Sequence, residues 1–325
     1  MNFSPKKKPR IVFMGTPVLA AAILDATVIR GYNVVAVVTA PDRPAGRGRK
    51  IQQPPVKIYA KQKGIDVLQP ENLKDPEFSE QLKALEPDIQ VVVAFRMLPR
   101  SVWSLPKTAT FNLHASLLPD YRGAAPINWA IINGEKVTGV TTFLIDDKID
   151  TGKILLQRRI PLDKYETAGS LGQKVIREGA VLVPETIDGL FHDNIRPVPQ
   201  AKVLKEGAKL NRAPKIYTED RKIDWTLPCE RTVNLIHGLS PSPGAFCEIE
   251  PDGLQKTIMK IYEARPVKTT HNFPPGKVIT DNKSYLDFAT PDGFVRILQL
   301  QLSGKKRMSV EELLRGLHID PPKGQ

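Results

Sequence analysis

Residues 10–39 read RIVFMGTPVLAAAILDATVIRGYNVVAVVT, and their pattern is strand, helix, strand. Arg10–Met14 and Asn33–Thr39 are apolar runs rich in β-branched residues, the composition that suits a pleated, buried surface. Between them an alanine-rich segment from Pro17 to Arg30 has helical composition. Proline fits its first turn because the amide it lacks would be unpaired there anyway. The same rhythm continues outward, with helices expected over 54–64 and 75–85 and strands over 66–68, 88–94 and 110–114. Asp88–Ala94 (DIQVVVA) is apolar enough to be covered on both faces, as parallel strands are. A βαβα alternation of this kind specifies a doubly wound α/β sheet with right-handed crossovers.

The chain has 325 residues, 41% hydrophobic and 25% charged, which suits a globular protein of two domains. No window approaches the ~20 apolar residues of a membrane-spanning helix. Lys6–Arg10 ahead of Ile11–Leu24 has the outline of a secretion signal, but Gly15-Thr16-Pro17 interrupts the apolar stretch. Two cysteines, Cys229 and Cys247, cannot form a disulfide framework, and a reducing, cytoplasmic setting is expected. The five histidines are scattered, with no metal-ligand spacing, so no metal is expected. Gly15-Thr16-Pro17 lacks the further glycines of a dinucleotide fingerprint, and no P-loop occurs. The net charge is +12, and residues 1–63 hold twelve Lys and Arg against two Asp. Ten of the twelve excess charges therefore lie in the first fifth of the chain, which points to a polyanionic partner.

Beyond residue 137 the pattern changes. Val140–Ile145 and Ile154–Ile160 are strands joined by a polar loop, and a helix is expected over 167–191. We divide the chain into an α/β domain over 1–195, a linker over 196–208 and a second domain over 209–325. The last is read as a small β-barrel of the oligonucleotide-binding (OB) type. Its expected strands, 256–263, 277–280, 284–289 and 294–302, are punctuated by Pro-Asp-Gly at 251–253 and 291–293. It lacks the closely spaced aromatics of single-strand binders.

Asn112 and His114 are two apart on an expected strand, so they share a face at its C-terminal end, where α/β sheets bind ligands. An amide donor beside an imidazole can hold a developing oxyanion and manage a proton. Asp146, Asp147 and Asp150 crowd the hairpin loop, and a carboxylate folded back on His114 would orient the ring. A lone strand histidine is more often structural, and an acidic loop is more often only solvated.

Several stretches stand in the order seen in a known family. They are Ile11–Pro17 (IVFMGTP), Pro41–Gly48 (PDRPAGRG), Asn112–Pro119 (NLHASLLP), Tyr121–Pro126 (YRGAAP) and Asp150-Thr151-Gly152. On them the sequence resembles the methionyl-tRNA formyltransferases, within the 10-formyltetrahydrofolate-dependent transferases. The resemblance implies a Rossmann-like formyltransferase domain followed by an OB-like tRNA-binding domain. It implies formyl transfer from 10-formyltetrahydrofolate to the α-amine of methionyl initiator tRNA, for translation initiation. It carries the catalytic trio onto Asn112, His114 and Asp150 and the folate contact onto Ser116, Leu117, Leu118 and Pro119. No obligate protein partner is evident. The segment Phe95-Arg96-Met97-Leu98-Pro99 departs from the family's pattern, as does Leu19.

The loop Pro41–Lys50 sets Arg43, Arg47, Arg49 and Lys50 against Asp42 alone. It leaves the second strand at the edge that carries Asn112 and His114, and is expected to touch tRNA. Two other readings compete. The formyl acceptor could be a purine precursor or an amino-sugar nucleotide, neither of which needs this loop. A non-catalytic RNA-binding protein would leave Asn112, His114 and Asp150 without purpose.

Overall fold

The computed structural model describes residues 8–45, 50–204, 207, 209–249 and 257–316. Strand β1 (Arg10–Gly15) leads through helix α1 (Val18–Ile29) to β2 (Asn33–Val38). A two-stranded ribbon follows, β3 (Arg43–Ala45) and β4 (Lys50–Gln52), within the segment expected to be a loop. Then come α2 (Pro55–Gln62), β5 (Asp66–Leu68), α3 (Pro76–Ala84), β6 (Ile89–Val93), α4 (Arg100–Trp103) and β7 (Ala109–His114). A short strand β8 (Arg122–Gly123), helix α5 (Pro126–Ile132), β9 (Val137–Leu144), β10 (Ile154–Pro161) and the long α6 (Ala168–Phe191) complete this half.

The sheet runs β10-β9-β7-β6-β1-β2-β5. β7, β6, β1, β2 and β5 are mutually parallel, and β9 joins β7 antiparallel. Strand order reverses at β1, and open α/β sheets bind ligands beyond the C-terminal strand ends at such a point, here those of β1 and β6 and their neighbour β7. Alternation along β1 sends Val12 and Met14 to one face, against Phe78 and Leu82 of α3 and Val102 of α4. On the other face Gly179 of α6 lies against Leu113 and Ile23, where an added Cβ would collide with both. Helices thus cover both faces. Each fully buried Val, Ile or Phe contributes roughly 1.5–3 kcal/mol. The described part of Met1–Gly123, Thr138–Ile160 and Gln173–Arg212 forms this Rossmann-like unit.

The described part of Ala124–Val137, Pro161–Gly172 and Ala213–Gln325 forms the second unit, so the two units interleave in sequence. After β11 (Arg212–Ala213) it contains α7 (Cys229–Gly238), β12 (Ala245–Ile249), β13 (Thr257–Lys268) and β14 (Val278–Thr280). β15 (Leu286–Thr290), β16 (Gly293–Leu302), β17 (Met308–Ser309) and α8 (Val310–Leu314) follow. Its sheet is antiparallel, β12-β13-β16-β15-β14 with β17 on β16, a half-barrel where the turn chemistry led to the expectation of a small barrel. Of the two Pro-Asp-Gly turns, the one at 251–253 lies outside the described residues. The other closes β15 onto β16, and Gly293 there (φ 150°) sits so close to the Val267 carbonyl that no Cβ fits. Asp292 in that turn accepts a 2.7 Å bond from the Cys229 amide and so caps α7, whose Val233 and Ile236 enter the core.

Helix α5, which lies early in the chain, packs on α7, and Asn128 donates to the Gly238 carbonyl at 2.7 Å. A fragment ending at residue 208 therefore keeps α5 but loses its support. We expect hydrogen exchange on that fragment to show β1, β6 and β7 protected and residues 126–132 unprotected. Native-like protection of 126–132 would contradict this packing argument.

Candidate active site

β7 positions the first two groups. Asn112 lies between Val92 of β6 and Phe143 of β9, and His114 lies opposite Thr141. The His114 ring is 6% exposed and meets Phe143 edge-on, with centroids 6.4 Å apart. Its Nε2 donates to the Tyr121 carbonyl at 2.8 Å, which leaves Nδ1 as the bare nitrogen of the neutral ring. Burial is the main influence on this ring and lowers its pKa from the ordinary histidine value. Asp150 and the Tyr121 bond oppose that shift without cancelling it. The ring is therefore neutral near pH 7, with a lone pair on Nδ1. Asn112 is half-buried, and its side-chain amide makes no hydrogen bond among the described residues.

The hairpin loop sorts the three aspartates. Asp146 closes the loop on itself, accepting from Thr151 Oγ1 at 2.8 Å and from the Lys148 amide at 3.0 Å. Asp147 is exposed. Asp150 is the one that faces His114, its Oδ2 3.8 Å from Nδ1. That distance is too long for a hydrogen bond, so ring orientation comes from the Tyr121 carbonyl and not from the carboxylate as the sequence reading had it. Asp150 is itself held by the Gly123 amide at 2.9 Å. Gly152 leaves no room for a side chain, because a Cβ there would strike the Leu144 carbonyl.

Two non-glycine residues of this site, Tyr121 (φ 59°) and Asp150 (φ 55°), adopt left-handed backbone conformations. Each costs of order 1–3 kcal/mol and persists only where surrounding contacts dictate it. For Tyr121 they are the bond from His114 to its carbonyl and the bond from its amide to the Asn211 carbonyl, and for Asp150 they come from Gln200. Its Nε2 donates to the carbonyls of Asp150 and Gly152, both at 2.8 Å, and its Oε1 accepts from Arg122 Nε (3.1 Å) and Nη2 (2.7 Å). The stretch read as linker over 196–208 thus straps the loop: Val198 also bridges Ile154, and residues 200–202 form a 3-10 turn. Sequence reading missed Gln200 and Arg122. The Tyr-Arg-Gly motif was a signal for Arg122, whereas a lone Gln in a polar stretch gives none.

Of the four residues assigned to folate, Ser116, Leu118 and Pro119 are buried and Leu117 is half-buried. Ser116 Oγ donates to the Asp120 carbonyl at 2.6 Å. Thr141 and Gln157 brace the turn, through the Ser116 carbonyl (2.6 Å) and the Leu118 carbonyl (2.8 Å). Side-chain functions here are committed to the turn itself. Of the basic loop, Arg43 is exposed on β3, Arg47 and Arg49 lie outside the described residues, and for Lys50 only the backbone is described. Asp42 at its base accepts from Lys57 (2.6 Å) and Gln69 (2.8 Å), and these bonds hold its carboxyl below the usual range. The loop's single acid is therefore neutralised locally. Arg96, in the segment that departs from the family's pattern, donates to the carbonyls of Glu71 (2.9 Å) and Pro70 (2.7 Å). Burial, and the nearby Arg43 charge, lower its pKa.

A family model described as Formyl transferase matches residues 9–187, and one described as Formyl transferase, C-terminal domain, matches residues 215–318. The chain belongs to the formyl transferase family. It is 49% identical over 315 residues to a methionyl-tRNA formyltransferase of Bacteroides fragilis, covering 97% of each chain. To that of Flavobacterium johnsoniae it is 48% identical over 311 residues, 96% of this chain and 97% of the relative. Among solved structures, an N-formyltransferase from Helicobacter canadensis complexed with folinic acid and dTDP-3-aminofucose has a TM-score of 0.65 at 20% identity. That likeness covers 90% of this chain and all of the other. HypX from Aquifex aeolicus with tetrahydrofolic acid has a TM-score of 0.63 at 20% identity, over 98% of this chain and 50% of the other. These two likenesses concern the fold. The N-terminal formyl transferase match ends before Gln200, so the strap lies outside it.

Replacing Gln200 by Ala removes two donors from the Asp150–Gly152 carbonyls. At roughly 0.5–1.5 kcal/mol per bond, turnover should fall about tenfold to a hundredfold, with KM for either substrate changed much less. Steady-state kinetics beside a thermal melt check this; a fall in stability with kcat intact would mean that Gln200 only braces the fold.

Proposed function

We propose that this chain transfers the formyl group of 10-formyltetrahydrofolate to the α-amine of methionine esterified to initiator tRNA. The observation that carries the chemistry is the pairing of a free amide donor, Asn112, with a bare imidazole nitrogen, His114 Nδ1, two residues apart at one strand end. The acceptor is supported by 49% identity, across 97% of the chain, to relatives of that name. Translation substrates are cytoplasmic, and so is the proposed location. No helix among the described residues is long and apolar enough to cross a membrane.

As the amine nitrogen bonds to the formyl carbon, the carbonyl oxygen gains negative charge, and the Asn112 amide is free to donate to it. A preorganised donor of this kind is typically worth ~10²–10³ in rate. The attacking nitrogen becomes cationic and must lose a proton. His114 Nδ1 accepts it, since the proton on the other nitrogen is fixed by Tyr121. The imidazolium so formed lies 3.8 Å from Asp150, whose charge compensates for its burial. The proton passes to N10 of the folate as the carbon–N10 bond breaks, which restores the neutral ring. Ser116–Pro119 form the wall on which the folate rests. Arg43, Arg47, Arg49 and Lys50 engage the tRNA backbone, unopposed because Asp42 is bound by Lys57.

Offered 10-formyltetrahydrofolate with methionyl initiator tRNA, glycinamide ribonucleotide or an amino-sugar nucleotide, the protein should formylate the first. Preference for either small amine would overturn the acceptor assignment, and no transfer to any would overturn the chemistry.

The pH dependence has a definite sign. The neutral form of His114 is the active one, and burial sets its pKa below 6.5 while Asp150 raises it. Turnover should therefore fall on an acid limb below pH 6.5. Asp150→Asn should lower kcat by roughly 10² or more and move that limb to still lower pH. The substrate amine is common to both enzymes, so a difference between their profiles reports on the enzyme's own group. A limb that stays in place, or moves up, would refute the pairing.

A further inference from the structure

The outer face of the half-barrel carries a cluster of rings that the formyl-transfer site does not use. Along β16, Val295 and Ile297 enter the core, so alternation turns Phe294 and Arg296 outward. The register sets Phe294 opposite Val267 and Arg296 opposite Arg265. His271, just beyond β13, stacks on Phe294 with centroids 4.4 Å apart and planes 25° apart. Phe273 lies 5.7 Å from His271 and 6.2 Å from Phe294 and is 40% exposed. Although its three rings are 2 and 21 residues apart in the chain, they form one patch.

The patch is rigid. His271 Nε2 donates to the Gly293 carbonyl at 2.8 Å, while its Nδ1 accepts from the Phe273 amide at 3.1 Å. Both ring nitrogens are thus spent on holding the ring in place. The loop turns through Pro274-Pro275-Gly276, and Gly276 (φ 82°) rests on Trp225, itself stacked on Phe288 at 4.3 Å. Two guanidiniums lie along the same strands, each ion-paired: Arg296 stands over Tyr285 at 5.2 Å and donates to Asp287 at 3.0 and 2.8 Å, and Arg265 stands over Tyr165 at 4.1 Å and donates to Glu263 at 3.1 Å.

We infer that His271, Phe273 and Phe294 form a stacking platform for an unpaired nucleobase of the tRNA substrate. The inference rests on the function proposed above. A fixed, partly exposed ring cluster is the chemistry that holds splayed-out bases, by stacking on their faces. A protein partner fits less well. One such patch is far smaller than the ~800 Å² per side of a stable interface, and residues 209–325 carry a net charge of +4.

The test is the affinity of full-length protein for initiator tRNA over a range of salt concentrations, with Phe273→Ala, Phe273→Leu and Phe273→Tyr. Loss of one base–aromatic stack should raise Kd by roughly tenfold or more in the Ala and Leu variants. The flat ring of Tyr should keep Kd near wild type. The slope of log Kd against log salt should be the same in all four proteins, because no phosphate contact is removed. Unchanged affinity in Phe273→Ala overturns the platform, as does a Leu variant that binds like wild type. A change confined to self-association on dilution assigns the patch to protein contact and also overturns it. The underlying reading fails separately: wild-type protein would then formylate no methionyl-tRNA at all.

Discussion

The hydrogen bond from His114 Nε2 to the Tyr121 carbonyl decides how the site can work. It fixes one tautomer of a buried ring, and every later step follows from which nitrogen is left bare. Had Asp150 approached within bonding distance instead, Nδ1 would carry the proton and could not take one from an amine. The 3.8 Å gap keeps the carboxylate near enough to favour a charged ring and too far to claim the proton beforehand. Burial works in the opposite direction, so the ring is neutral at rest and charges only when a proton arrives.

Holding Tyr121 and Asp150 in left-handed conformations is what puts the carbonyl and the carboxylate on opposite nitrogens of one ring. The three residues Tyr121, Arg122 and Gly123 supply, in order, a carbonyl for His114, a side chain for Gln200 and an amide for Asp150. The strain at those two residues is therefore offset by hydrogen bonds that are made only in that geometry. Gln200 has both ends of its amide engaged, and this joins the two strained segments into one body.

How much of this was legible in the sequence depended on range. The parallel strands announced themselves as apolar β-branched runs, and the period of two put Asn112 and His114 on one face. The choice of Asp150 over Asp146 came from the resemblance alone, because residue type and spacing do not show which side chain the loop spends on its own closure. Gln200 was hidden for a different reason: its partners are mainly carbonyls, and a carbonyl has no residue type. The support of α5 by α7 joins segments about a hundred residues apart, so no local pattern could report it. The aromatic cluster is the plainest correction. Judged by spacing alone the C-terminal half lacked closely spaced aromatics, yet the fold brings His271 and Phe273 beside Phe294.

The chemistry of the site does not identify its acceptor. In the mechanism proposed above, any neutral primary amine presented to Asn112 and His114 would meet the same donor and the same proton acceptor. Discrimination must therefore come from binding energy remote from the reacting atoms, released only when the correct acceptor is seated. A tRNA offers such energy in two forms, regularly spaced phosphates and exposed bases. In the function proposed above the chain answers each separately, with the basic segment after β2, whose one acid is bound by Lys57, and with the ring cluster of His271, Phe273 and Phe294. Phosphate contacts fade with salt while stacking does not. An acceptor held by both would remain selected at ionic strengths that weaken either a purely basic surface or a small anionic substrate.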